Sequence, residues 1–196
     1  MHKRAVVCGL ALVLSGAGGA WANKEKAKPT AEDKKANKEE VGLKGKTVAK
    51  ADIDAKSGSK VGGSATFTDD GKGGLVLRLE VKDAPPGVHA VHIHEKGDCS
   101  SPDGKSAGDH WNPTHMEHGK WGAPGEHHHL GDIGNLEVKP DGTGVITLET
   151  TKWTVGGGAP NDVIGHAIVV HGGVDDFKTQ PSGNAGPRLG CGVIKK

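Results

Sequence analysis

The stretch VHIHE at 91–95 places two histidines two positions apart in a run that alternates apolar and polar residues. Alternate side chains of a strand share a face, so His92 and His94 would stand together, roughly 6–7 Å apart. That spacing suits either two surface imidazoles or two donors to one metal ion. The other histidines favour the metal. Apart from His2, all of them lie between His89 and His171, in an ordered series: His110, His118, the HHHLGD of 127–132, and His171 closing an apolar run. A tract that merely sequestered metal would need no such spacing. Imidazole suits copper and zinc, whereas calcium and magnesium prefer oxygen. Cys99 and Cys191 are too far apart in sequence to suggest a cysteine site. The pattern implies a multi-histidine transition-metal site, with donors enough for two, and leaves the reaction open.

Strands must position these donors. Apolar and polar residues alternate in TVAKADIDA, SATFTD, LVLRLEV, VHAVHIHE and GVITLET, between turn-forming DDGKGG, DAPPG and PDGTG. HAIVVHGG and RLGCGVI complete a set of short strands, and no segment carries a convincing helical period. The expectation is an all-β fold, an antiparallel sandwich or barrel. With no Tyr and two Phe, Val, Ile and Leu must fill its core. Two stretches break the pattern. Residues 97–131 are rich in Gly, Pro, His, Asp and Ser, and loops of that length in a compact domain usually carry function. A shorter irregular stretch runs from Gly172 to Pro187.

The first residues read differently. MHKR is a positive start, AVVCGLALVLSGAGGA an apolar run too short to span a bilayer, and AWA at 20–22 a small-x-small cleavage signal. Residues 1–22 are expected to be a signal peptide, with too little apolar sequence before Cys8 for a lipid anchor. Residues 23–46 are rich in Lys, Glu and Ala and read as a flexible charged linker, a solvated helix being the alternative. Residues 47–196 are then one domain. Removing Lys3 and Arg4 with the signal moves the formal charge from +1 to about −1, which offers no basic footprint for nucleic acid. Export would leave Cys99 and Cys191 in an oxidising compartment, most simply as a disulfide worth up to about 4–5 kcal/mol in the chain-entropy model. Two buried free thiols are the alternative.

Five motifs in order, GVHAVHIHEKGDC, SAGDHWNP, HHLGDIGN, VVHGGVDD and GNAGPRLGCGVI, resemble the copper,zinc superoxide dismutase family over residues 47–196. DDFKTQPSGNAG is similar to exported bacterial members. The resemblance implies an immunoglobulin-like Greek-key barrel or sandwich of about eight strands, with a long metal-binding loop and a shorter active-site loop. It implies copper held by His92, His94, His110 and His171, and zinc held by His110, His118, His129 and Asp132, with His110 bridging the two. Asp175 would link a copper ligand to a zinc ligand, Arg188 would sit beside copper, and Cys99 and Cys191 would form the family disulfide. His110 and Arg188 would be the catalytic pair, turning superoxide into dioxygen and hydrogen peroxide in a periplasmic or secreted protein, monomeric or homodimeric.

Physical chemistry fits these assignments. Three histidines and a carboxylate make a closed tetrahedral zinc site, and a carboxylate behind two ligands fixes their tautomers. The remaining residues are expected to serve structure or solvent: His115, His127 and His128 facing water, His89 packing and hydrogen bonding, His166 without assigned function, and Glu95 pointing away from the metal. Lys178 is the sole cation of the short GGVDDFKTQPS stretch, which leaves the strength of substrate steering open. A cupin-type enzyme shares the His-x-His but has no place for His110, HLGD or the paired cysteines. A non-enzymatic copper and zinc binder is the other alternative; an intact ligand set with Arg188 argues against it.

Overall fold

A computed structural model describes residues 45–125 and 127–196, so the signal segment 1–22 and nearly all of the 23–46 linker lie outside the described residues. Alternation becomes burial in β1 (Thr47–Ala55), where Ala49, Ala51 and Ile53 point inward. The same pattern builds β2 (Gly62–Asp69), β3 (Leu75–Lys82), β4 (Gly87–His94) and β6 (Gly144–Thr150), with the short β7 (Ala167–His171) and β8 (Arg188–Val193) after them. β5 (Asp132–Val138) has no counterpart among the runs that alternation marks out. Its DIGNLEV carries Asp, Gly and Asn, poor strand formers, and the strand exists because it pairs with β4 from Gly87 to His92.

All neighbours run antiparallel, and the strands close in the order β1-β2-β3-β6-β5-β4-β7-β8, a barrel without a free edge. The links from β3 to β4 and from β6 to β7 each step over two strands, the Greek-key feature. They bring β4 and β7, 73 residues apart from His94 to Ala167, into direct pairing. Inside lie Phe67, Leu77, Leu79, Val91, Ile93, Leu136, Ile168 and Trp153, all 1% exposed or less. Trp153 packs against Phe67 with ring centroids 6.0 Å apart and donates its indole N–H to the Leu130 carbonyl. A second small cluster lies outside the barrel wall, where Ala107 covers Ala167, Val169 and Cys191. No helix among the described residues is long and apolar enough to cross a membrane.

Candidate metal centre

On β4 and β7 the odd–even alternation sends Val91, Ile93, Ile168 and Val170 into the core. His92, His94 and His171 therefore stand on the outer wall, yet they are only 0%, 1% and 4% exposed. The two long loops cover them. The ladder is irregular at both places, with register shifts between Val91 and His92 and between Val170 and His171, where a bulge re-aims a side chain. The His92 and His94 ring centroids lie 6.4 Å apart, as strand spacing predicts. The first loop is laced back onto β4: Glu95 N–H donates to Asp109, and Trp111 N–H to Ile93. That pairing presents His110 opposite His94.

Two donor sets result. His92, His94, His110 and His171 each bring a ligand atom within 4.8 Å of the others, and so do His110, His118, His129 and Asp132. His110 belongs to both. Among buried side-chain polar atoms, His92 Nδ1, His110 Nε2, His118 Nδ1 and His129 Nδ1 lack a hydrogen-bond partner. Unsatisfied buried groups are costly, and here they converge. His94 and His171 bring their Nε2 atoms to 3.3 Å of one another. Orphaned nitrogens gathered at two points are what metal ions would satisfy, and the donor chemistry fits copper in the four-imidazole set and zinc in the set with a carboxylate.

In every ring of the two sets but His129, one nitrogen is engaged with a carbonyl or a carboxylate. His94 Nδ1 donates to the Gly108 carbonyl at 2.9 Å, and His171 Nδ1 to Gly186 at 3.4 Å. Asp175, 1% exposed, accepts from His92 Nε2 at 2.8 Å through one oxygen and from His118 Nε2 at 2.9 Å through the other. One carboxylate thus orients a ring in each set. Asp132 receives His110 Nδ1 at 3.0 Å and the backbone N–H of His129 at 2.8 Å. His118 Nδ1 also lies 3.0 Å from Asp132.

These placements set the protonation of the metal-free site. Burial pushes His94 and His171 well below the ordinary histidine value, and neighbouring rings add to it. Burial also lowers His110, to about 4, against the pull of Asp132. For His118 burial is outweighed by Asp132 and Asp175, which raise it to about 9. Burial would raise Asp132 and Asp175, but a hydrogen bond from His110 and the nearby His118 ring at the first, and hydrogen bonds from His118 and His92 to the second, hold both far below the usual carboxylate range.

Several supports have no signal in the motifs. Gln180 clasps the backbone of His118, accepting its N–H and donating to its carbonyl, both at 2.9 Å. Asn135 on β5 exchanges two hydrogen bonds with the backbone of Asp175. Gly183, at φ 63°, lies so close that a Cβ would strike Asp175 and His118. Pairing of loop polar groups across 40 to 62 residues leaves no local pattern to read.

Arg188 opens β8, half-buried. Its guanidinium donates to the carbonyls of Gly104 at 2.8 Å and Gly108 at 2.6 Å, so it shares Gly108 with His94. Cys99 and Cys191 are joined, which fastens the 99–108 segment to β8. Among the other histidines, His89 sits between the carbonyls of His171 and Pro85, at 2.9 and 2.8 Å. His115 and His127 are exposed. His128 is not: it is 3% exposed, stacks on Trp121 at 4.4 Å and bonds the His129 carbonyl, because the loop folds its ring under the indole. His166 stacks on Trp111 at 4.6 Å and bonds the Glu95 carbonyl. Glu95 and Lys178 belong to neither donor set.

The family model for copper/zinc superoxide dismutase matches residues 61–194. A copper/zinc superoxide dismutase of Aquifex aeolicus is 38% identical over 149 residues, covering 74% of this chain and 86% of the relative. One from Caulobacter vibrioides is 41% identical over 145 residues, covering 71% and 82%. The crystal structure of a SOD-like protein from Bacillus subtilis superposes with a TM-score of 0.64 at 33% identity, covering 73% of this chain and 95% of that one. This protein belongs to the copper/zinc superoxide dismutase family of oxidoreductases, and copper and zinc are the cofactors its two donor sets serve.

Proposed function

We propose that this protein converts two superoxide anions and two protons into dioxygen and hydrogen peroxide, with copper at His92, His94, His110 and His171 and zinc at His110, His118, His129 and Asp132. The observation that carries this reading is that His110 is common to both donor sets and lines the same pocket as Arg188. When bound, copper supplies a Cu(II)/Cu(I) couple and zinc a fixed dication beside it. The chain does the rest. Arg188 has five N–H donors and commits two to Gly104 and Gly108, so it keeps donors and a fixed charge for a small anion. His110 Nε2 is the ring nitrogen suited to hold a proton for the pocket, while its Nδ1 stays on the Asp132 side. Asp175 keeps His92 and His118 in one tautomer each. The same reading takes residues 47–196 as the working domain and residues 1–22 as a signal that exports it.

The test is to load the purified protein with one copper and one zinc and follow superoxide decay by stopped flow. Catalytic decay at a kcat/KM well above about 10⁷ M⁻¹s⁻¹ is expected for a family that includes near-diffusion-limited enzymes. A fully loaded protein that leaves the spontaneous decay unchanged would make it a metal-binding relative instead.

A further inference from the structure

The pocket of about 440 Å³ over His94, His110 and His171 is the way in for a small anion, and its charges are mixed. Arg188 supplies one positive charge. Glu95, after β4, and Asp109, before His110, supply two negative charges from the same rim, both exposed. A second depression on the other side of Arg188 shares Asp109 with the first and adds Asp103 and Lys105. Those two offset each other, with Lys105 Nζ 3.5 Å from Asp103. Glu95 has Lys96 at 3.5 Å. Asp109 takes part in none of the ion pairs found among the described residues. Lys178 lines neither depression.

Two further observations place these acids near the arginine. Burial lowers Arg188, and the charges that oppose this are Asp109 first and Asp103 second. A Cβ on Gly108 would strike the Glu95 carboxylate, so Glu95 lies against the peptide whose carbonyl Arg188 grips.

An enzyme that gathers an anion gains from a lip of one sign, since a cleft of uniform charge concentrates its substrate. We infer that Asp109, assisted by Glu95, is a charge brake on this enzyme: it cancels the field of Arg188 at the lip and holds superoxide capture below what the arginine alone would permit. The inference rests on the dismutase reading of the site. The bound ions add their own charge, but equally in wild type and variants, so the comparison isolates the lip.

The experiment uses copper- and zinc-loaded wild type, Asp109→Asn, Glu95→Gln, the double variant and Asp109→Glu. Superoxide kcat/KM is measured from about 0.01 M to about 1 M ionic strength, over which the screening length falls from about 30 Å to about 3 Å. Azide binding to the loaded protein, followed by its optical band, reports anion admission without turnover. Asp109→Asn should raise kcat/KM about two- to threefold at low salt and tighten azide by a similar factor, with Glu95→Gln weaker and the double variant stronger. The gain should vanish at high salt, and Asp109→Glu should track wild type. Unchanged low-salt values, a gain that survives high salt, or the same gain in Asp109→Glu would overturn the inference. Loaded wild type that binds azide but leaves superoxide alone would sink the dismutase reading, while the azide series would still decide the role of Asp109.

Discussion

At the scale of single residues, the site is organised by which nitrogen of each ring is left over. In every member of the copper set apart from His110, one nitrogen is tied to a carbonyl or to Asp175, so the other has nowhere to turn but the shared point. Removing one ring should therefore unmake one site and spare the other. His171→Ala is expected to lose copper, with affinity down by on the order of 100-fold or more, and to keep zinc, because His171 has no part in the zinc set. Metal analysis after dialysis against a weak chelator checks it; equal loss of both ions would mean that the sets are not separable in this way. These residues were legible because their chemical types are scarce and their spacing is ordered. His128 was misread because nothing local reveals that Trp121 folds over it.

Elements explain why the geometry is held within tight limits. The strand supplies His92 and His94 on one face, and bulges at His92 and His171 adjust their aim. The loops supply the rest through long-range pairs such as Gln180 to His118. Gly183 is where two loops meet closely, with a left-handed backbone and Asp175 and His118 where a side chain would begin. Gly183→Ala should separate that hydrogen-bonded pair and cost about 1–3 kcal/mol of stability. Zinc affinity should fall more than copper affinity, since His118 belongs only to the donor set with the carboxylate, the one proposed to hold zinc. Thermal melts with and without zinc would register it; a variant with unchanged zinc affinity would leave Asp175 without the positioning role given to it. Alternation made five of the eight strands legible, and two short runs, HAIVVHGG and RLGCGVI, added β7 and β8. β5 escaped because its strand character comes from its partner, and with it went Asn135, the residue that anchors Asp175.

Across the whole molecule, stability and protonation are linked. In protein stripped of metal, His94, His110 and His171 resist protonation when folded but take up protons at their ordinary value of 6.5 when unfolded, so stability falls as pH drops below 6.5. His118 has the opposite sign: its contribution is complete below 6.5 and is lost as pH rises toward about 9. Asp132 and Asp175 contribute above the usual carboxylate value of 3.8 and lose that contribution in stronger acid. The stripped protein should be most stable near pH 6.5, and urea midpoints at about pH 5, 6.5 and 9 would test this. A midpoint that keeps rising to pH 9 would contradict the balance drawn between His118 and the copper-set rings. Barrel closure was legible only as a class, since the sequence marks strands but not which of them meet.

The closing pair of the barrel has a consequence for synthesis. β8 joins β7 to β1, carries Arg188, holds one half of the disulfide, and is made after the other seven strands. A chain stopped short of Arg188 would leave β1 and β7 with unpaired edges and the 99–108 segment untethered. Quality control therefore has a simple object to recognise: an interrupted barrel is an open sheet with sticky margins, and the closed barrel has none.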